Sequence, residues 1–118
     1  MKLKGVVFQS GIREVLWITL ALQTITSEHR DFQQISIKFP HQLHPIATRD
    51  SVKQRVGEVA FGQWMDLDWL LIQFWESREI RPKIMYPVAM GKGVARAYAG
   101  ALLPEVTERG IIEFHGIL

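Results

Sequence analysis

His41 and His44, bracketed by Pro40 and Pro45, are spaced as half of a zinc site could be. Zinc would need two further donors. The remaining histidines are His29 and His115, and the chain has no cysteine, so a solvated loop accounts for the pair and no metal is expected. Asp66 and Asp68 are close carboxylates of the kind acid–base chemistry uses. Residues two apart on a helix do not face each other, so helix capping is expected of them instead. Gly91-Lys92-Gly93, ahead of a helical stretch, could present backbone amides to an anion. It lacks the spacing and the trailing Ser or Thr of a phosphate loop. A plain turn is the expectation there, with anion binding as the alternative. No serine lies in a G-x-S-x-G elbow, so a hydrolase triad has no anchor. No catalytic residue and no cofactor is expected.

Aromatic residues are the other conspicuous group. Trp64, Trp69, Phe74 and Trp75 could stack nucleobases, but at helical spacing they read as core. Trp69 falls off the apolar stripe and is a candidate for contact with a protein partner, since aromatics are enriched at interfaces.

The composition agrees with this lack of chemistry. At 118 residues, 47% hydrophobic and 22% charged, the chain is expected to form one α/β unit over residues 1–118 with a core of its own. A formal net charge of +2 is too small to argue for nucleic acid. The basic clusters Arg49, Lys53, Arg55 and Arg78, Arg81, Lys83 are interleaved with Asp50, Glu58, Glu76 and Glu79, as on a solvated face. Arg13 and Glu14 interrupt the first apolar stretch, and Val15 to Leu22 is far short of the roughly 18 residues a membrane span needs. The expectation is a soluble protein, and the absence of cysteine permits an intracellular, cytoplasmic or nuclear location.

The elements that would carry these residues alternate. Leu3, Val6 and Phe8 mark a strand ended at Ser10-Gly11, and Ile12, Val15, Leu16, Leu22 and Ile25 mark a helix with a wide buried face. Phe32, Ile35, Ile37 and Phe39 alternate with Gln34, Ser36 and Lys38 in the clearest strand. After the loop over residues 40–49, Asp50-Ser51 can cap a helix carrying Val52, Val56, Val59 and Ala60. A bend near Gly62 and a restart at Asp66 or Asp68 follow. Leu67, Leu70, Leu71, Phe74 and Trp75 share one face, leaving Trp69 and Ile72 to find a second surface. Arg81-Pro82 is expected to end that helix. Ile84 to Tyr86 form a third strand, Val94 to Leu102 a third helix, and Pro104 opens a short helix closed by Gly110. Ile111, Ile112 and Phe114 form a fourth strand. Such alternation favours a parallel sheet with right-handed crossovers.

Leu3-x-x-Val6-x-Phe8 and Phe32-x-x-Ile35-x-Ile37 share the spacing of a leucine-rich-repeat strand. Arg81-x-x-Ile84-x-Tyr86 and Ile111-x-x-Phe114-x-Gly116 keep part of it. Further, ALQTITSEHRDFQQISI (Ala21–Ile37), WMDLDWLLIQFWESREIRPKIMY (Trp64–Tyr86) and LLPEVTERGII (Leu102–Ile112) resemble the C-terminal part of uncharacterised fungal F-box and leucine-rich-repeat-type proteins, over roughly residues 20–112. The resemblance implies a leucine-rich-repeat-like β/α solenoid fragment serving as a non-catalytic protein-interaction or scaffold module. No F-box helix bundle is visible, so coupling to a ubiquitin ligase is not implied. On this reading Gln34, Ser36 and Lys38 point outward as contacts, the chain is a piece of a longer array, and its exposed strand edges favour self-association. The competing reading is a small α/β enzyme or nucleotide-binding domain using the strand-end loops at Ser10-Gly11 and Gly91–Gly93. The first predicts helices on one side of the sheet, the second helices on both.

Overall fold

The computed structural model describes residues 5–9, 16–28, 34–39 and 48–117. Four strands, β1 (Gly5–Gln9), β2 (Gln34–Lys38), β3 (Pro82–Pro87) and β4 (Glu113–Ile117), form a parallel sheet in the order β1-β2-β3-β4. The helices are α1 (Leu16–Glu28), α2 (Arg49–Val56), α3 (Glu58–Arg78), α4 (Lys92–Leu102) and α5 (Pro104–Glu108). A single 3-10 turn, Val88–Met90, joins β3 to α4.

Strand order decides where the helices lie. Each crossover advances one strand in the same direction, and right-handed crossovers of that kind place their helices on a common side. Burial alternates accordingly. Ile35, Ile37, Phe39 and Ile84 are at most 1% exposed, and the half-buried Phe114 packs against the same core. The intervening Gln34 and His115 are exposed, and Lys38, Lys83, Met85 and Glu113 are half-buried. The helices pack on one another as a second layer, with α3 touching α1, α2, α4 and α5.

α3 is the spine of that layer. Ala60, Phe61, Trp64, Leu67, Leu71, Ile72 and Phe74 are all buried along it. Ile72, off the stripe Leu67–Trp75, is buried as well, because neighbours of α3 cover a broader arc than that stripe defines; Trp69 is left 63% exposed. The break between α2 and α3 falls at Gly57, whose φ of 93° is open to glycine, and Gly62 lies inside α3. Val59, expected in the core, is 77% exposed. The cap of α2 is Thr48 and not Asp50-Ser51. Thr48 is extended, and its Oγ1 accepts the Ser51 N–H at 3.2 Å.

α3 stops at Arg78, ahead of Arg81-Pro82, because Glu79 turns left-handed (φ 55°). The Glu79 N–H donates to Trp75 O at 2.9 Å, and the Ile80 N–H reaches Phe74 O at 3.4 Å. The bond from Glu79 is that of the αL closure, in which the left-handed residue's N–H returns to a carbonyl four residues back, and the apolar Ile80 follows it into the core. Pro82 then opens β3. Ile111 and Ile112 are a buried lead-in, and β4 itself begins two residues later than their apolar run suggests.

The repeat spacing and the sheet register agree only in part. Val6 pairs Ile35 and Phe8 pairs Ile37, and Ile84 pairs Phe114. Between β2 and β3, however, Ile84 pairs Ile37 and not Ile35, a slip of one pleat period that keeps every side chain on its face.

Candidate functional site

The open side of the sheet carries the candidate site. Register places Ser36, Lys83 and Glu113 in one row and Lys38, Met85 and His115 in the next. Gln34 heads β2 on the same side, and Arg81 has the same parity just before β3. Glu113 is held from two directions. Arg81 Nη1 lies 3.3 Å from its Oε1, and His115 Nε2 lies 3.5 Å from its Oε2. Arg81 also donates from Nε to Ile111 O at 3.0 Å and from Nη2 to Gly110 O at 3.4 Å. One side chain thus ties the start of β3 to the turn entering β4.

The expected contact residues separate. Gln34 is exposed and Lys38 half-exposed on the open face. Ser36 shares their parity, but it is only 4% exposed and lies in register between Val7 and Lys83, so it presents little surface to a partner. Trp69 is 63% exposed, on α3 in the helical layer, and is not brought together with the strand residues.

Gly91 precedes α4 at φ 85° and makes no side-chain cap. Its carbonyl accepts the Ala95 N–H at 3.2 Å. Lys92 and Gly93 are exposed beyond it. The geometry is that of a turn leading into a helix. Ser10-Gly11 and the His29, His41 and His44 positions lie outside the described residues. Among the described residues no three His, Asp or Glu side chains gather as metal ligands, and no helix is long and apolar enough to cross a membrane.

Asp66 and Asp68 diverge. Asp66 is exposed in mid-helix, whereas Asp68 is buried and caps α5 from across the layer. Its Oδ2 accepts the Glu105 N–H and its Oδ1 the Val106 N–H, both at 3.1 Å. Neither residue restarts a helix. Burial pushes the Asp68 carboxyl above its usual range, outweighing the two amides that favour its charged form.

Sequence reasoning missed a cavity of about 370 Å³ beside β4, lined by Arg96, Thr107, Gly110, Ile112 and Phe114. The Arg96 guanidinium stands 5.7 Å from the centre of the Phe114 ring, at cation–π distance. Thr107 Oγ1 is buried without a hydrogen-bond partner. The signal available was the basic Arg96 in an otherwise small and apolar segment, Gly93 to Leu103. No family model, curated protein or solved structure matches the chain.

Proposed function

We propose that the chain is a non-catalytic protein-binding or scaffold module of leucine-rich-repeat-like β/α type, working inside the cell. Its contact surface is the open sheet face around Gln34, Lys38, Lys83 and His115. The observation that carries this reading is the one-sided construction. Strands in sequential order with right-handed crossovers send their helices to one layer, and the residues of the other parity, Gln34, Lys38, Lys83, Met85, Glu113 and His115, are exposed or half-buried and of mixed charge, with Ser36 buried among them. A flat array of side chains anchored on strands is suited to recognising a folded or extended protein surface. Mixed charge at such a surface gives specificity by complementarity.

The test is site-specific photo-crosslinking. A photoreactive residue replaces Gln34 or Lys83 on the open face, or Gln54 on the exposed side of α2, and each protein is irradiated in an extract of its source cells. A common protein adduct at Gln34 and Lys83, missing at Gln54, is the expected result. Equal labelling at all three positions, or adducts only from Gln54, would sink the reading.

A further inference from the structure

We infer that α2 and α4 together form a basic surface that binds the phosphate backbone of double-stranded nucleic acid without reading its sequence. The formal net charge of +2 conceals an uneven distribution. α2 and α4 carry Arg49, Lys53, Arg55, Lys92 and Arg96 against the single acid Asp50, and the two helices pack on each other. The pair is therefore strongly positive, while the remainder of the chain, with nine basic and eleven acidic side chains, is slightly negative.

Four of these cations come as two pairs one helical turn apart, Arg49 with Lys53 and Lys92 with Arg96, and all four are exposed. Like charges at that spacing repel and weaken a helix. None of the four is in an ion pair among the described residues. Aromatic rings hold three of them without neutralising them. Arg49 and Lys53 stand 5.5 and 5.6 Å from the centre of the buried Phe61 ring, and Arg96 stands over Phe114. A ring face positions a cation and leaves its charge and N–H donors for an external anion.

The occupant follows from what the surface has and lacks. No large apolar side chain of either helix is exposed, so nothing there enters a lipid bilayer. Their one aromatic residue, Tyr98, is fully buried, so no ring is offered to the unstacked bases of a single strand. An extended acidic peptide would lose chain entropy on meeting so few cations. A duplex is already stiff and densely charged, and it releases condensed counterions on binding. Cations four residues apart are separated by about 6 Å of helix rise, a span over which each duplex strand presents about two phosphates. The surface belongs to the helical layer and does not rest on the reading of the open face.

The experiment is fluorescence anisotropy of a short labelled DNA duplex titrated with the chain at several salt concentrations. Four phosphate contacts predict a slope of log K against log salt of about −3.6, so affinity should fall roughly 100-fold between about 50 and 200 mM salt. Arg49→Gln with Lys53→Gln, and separately Lys92→Gln with Arg96→Gln, should each reduce that slope by about 1.8. Thermal melting by circular dichroism checks that both variants are folded. Lys38→Gln with Lys83→Gln, on the open face, should leave the slope unchanged. An equal loss from the open-face variant, or a slope that only one helix pair alters, would overturn the joint surface. No binding to the duplex at low salt, or tighter binding of a single strand or of a glutamate-rich peptide of equal charge, would overturn the choice of a nucleic-acid duplex.

Discussion

Asp68 shows how one residue can join two elements that the chain separates by 37 positions. α5 is one turn and a half long, too short to hold itself, and its first residue, Pro104, is preceded by Leu103, which has no capping side chain. The carboxylate of Asp68 supplies both acceptors instead. Asp68→Ala leaves one buried and one partly buried amide unpaired and should cost about 2–3 kcal/mol by chemical denaturation. Asp68→Asn keeps one acceptor and should cost less. The pH dependence has a definite sign. The folded carboxyl binds its proton more tightly than the unfolded one, whose value is near 3.8. The contribution of this group therefore falls as pH rises from that value through the higher folded one. The stability gap between the native chain and Asp68→Asn should narrow over that interval. A gap that widens would mean the two amides outweigh burial. At this scale the sequence was legible for residue type and blind to long-range partners. Alternation puts Ser36 on the open side correctly, but parity carries no information about how closely the flanking strands cover so small a side chain. The pair Asp66 and Asp68 likewise looks local, and only packing reveals that one member serves a helix 37 residues away.

Helix termini divide in the same way. The strand β2, helix α4 and the Pro104–Gly110 turn of helix were legible because each has its own punctuation: alternation, a stripe of small and large apolar residues, or Pro at the start and Gly at the end. The end of α3 was not. Glu79 adopts the left-handed conformation that glycine normally fills, and nothing in its side chain announces it. The burial of Ile80 fixes that geometry, so the chain tolerates a strained residue to seat an apolar one. Glu79→Gly should relieve the strain, offset in part by the greater freedom of the unfolded chain. The expected net gain is about 0.5–1 kcal/mol, seen as a melting temperature raised by roughly 2–5 °C. Glu79→Val, with a branched Cβ at the same φ, should lower it. If both variants melt at the same temperature, backbone strain at Glu79 is not the controlling feature. The two-residue slip between β2 and β3 belongs to this scale as well. Apolar spacing specifies which face a residue takes, not which neighbour it meets, and a slip of a whole period leaves the faces unchanged.

For the whole molecule, the alternation of elements was enough to expect a parallel sheet, and the sequential strand order follows from the structure alone. One continuous core joins β2, β3, the lead-in to β4 and every helix from α1 to α5. A two-layer arrangement with a single core should unfold as one unit. The tryptophans make this measurable, since Trp64 is 2% exposed in the centre of the core and Trp69 is 63% exposed on the surface of α3. In Trp69→Phe, with the other tryptophans kept, fluorescence still reports core packing through Trp64, and its transition should coincide with loss of helix by far-ultraviolet circular dichroism. Leu71→Ala, in the spine of the helical layer, should shift both curves together by about 2–4 kcal/mol. Lys83→Ala, on the open face, should leave both within roughly 0.5 kcal/mol of the native chain. Separate transitions for the two probes would mean that the helical layer loosens before the sheet does. In that case the open face would owe its shape to the sheet alone, and a partner bound there would stabilise the strands without protecting Trp64.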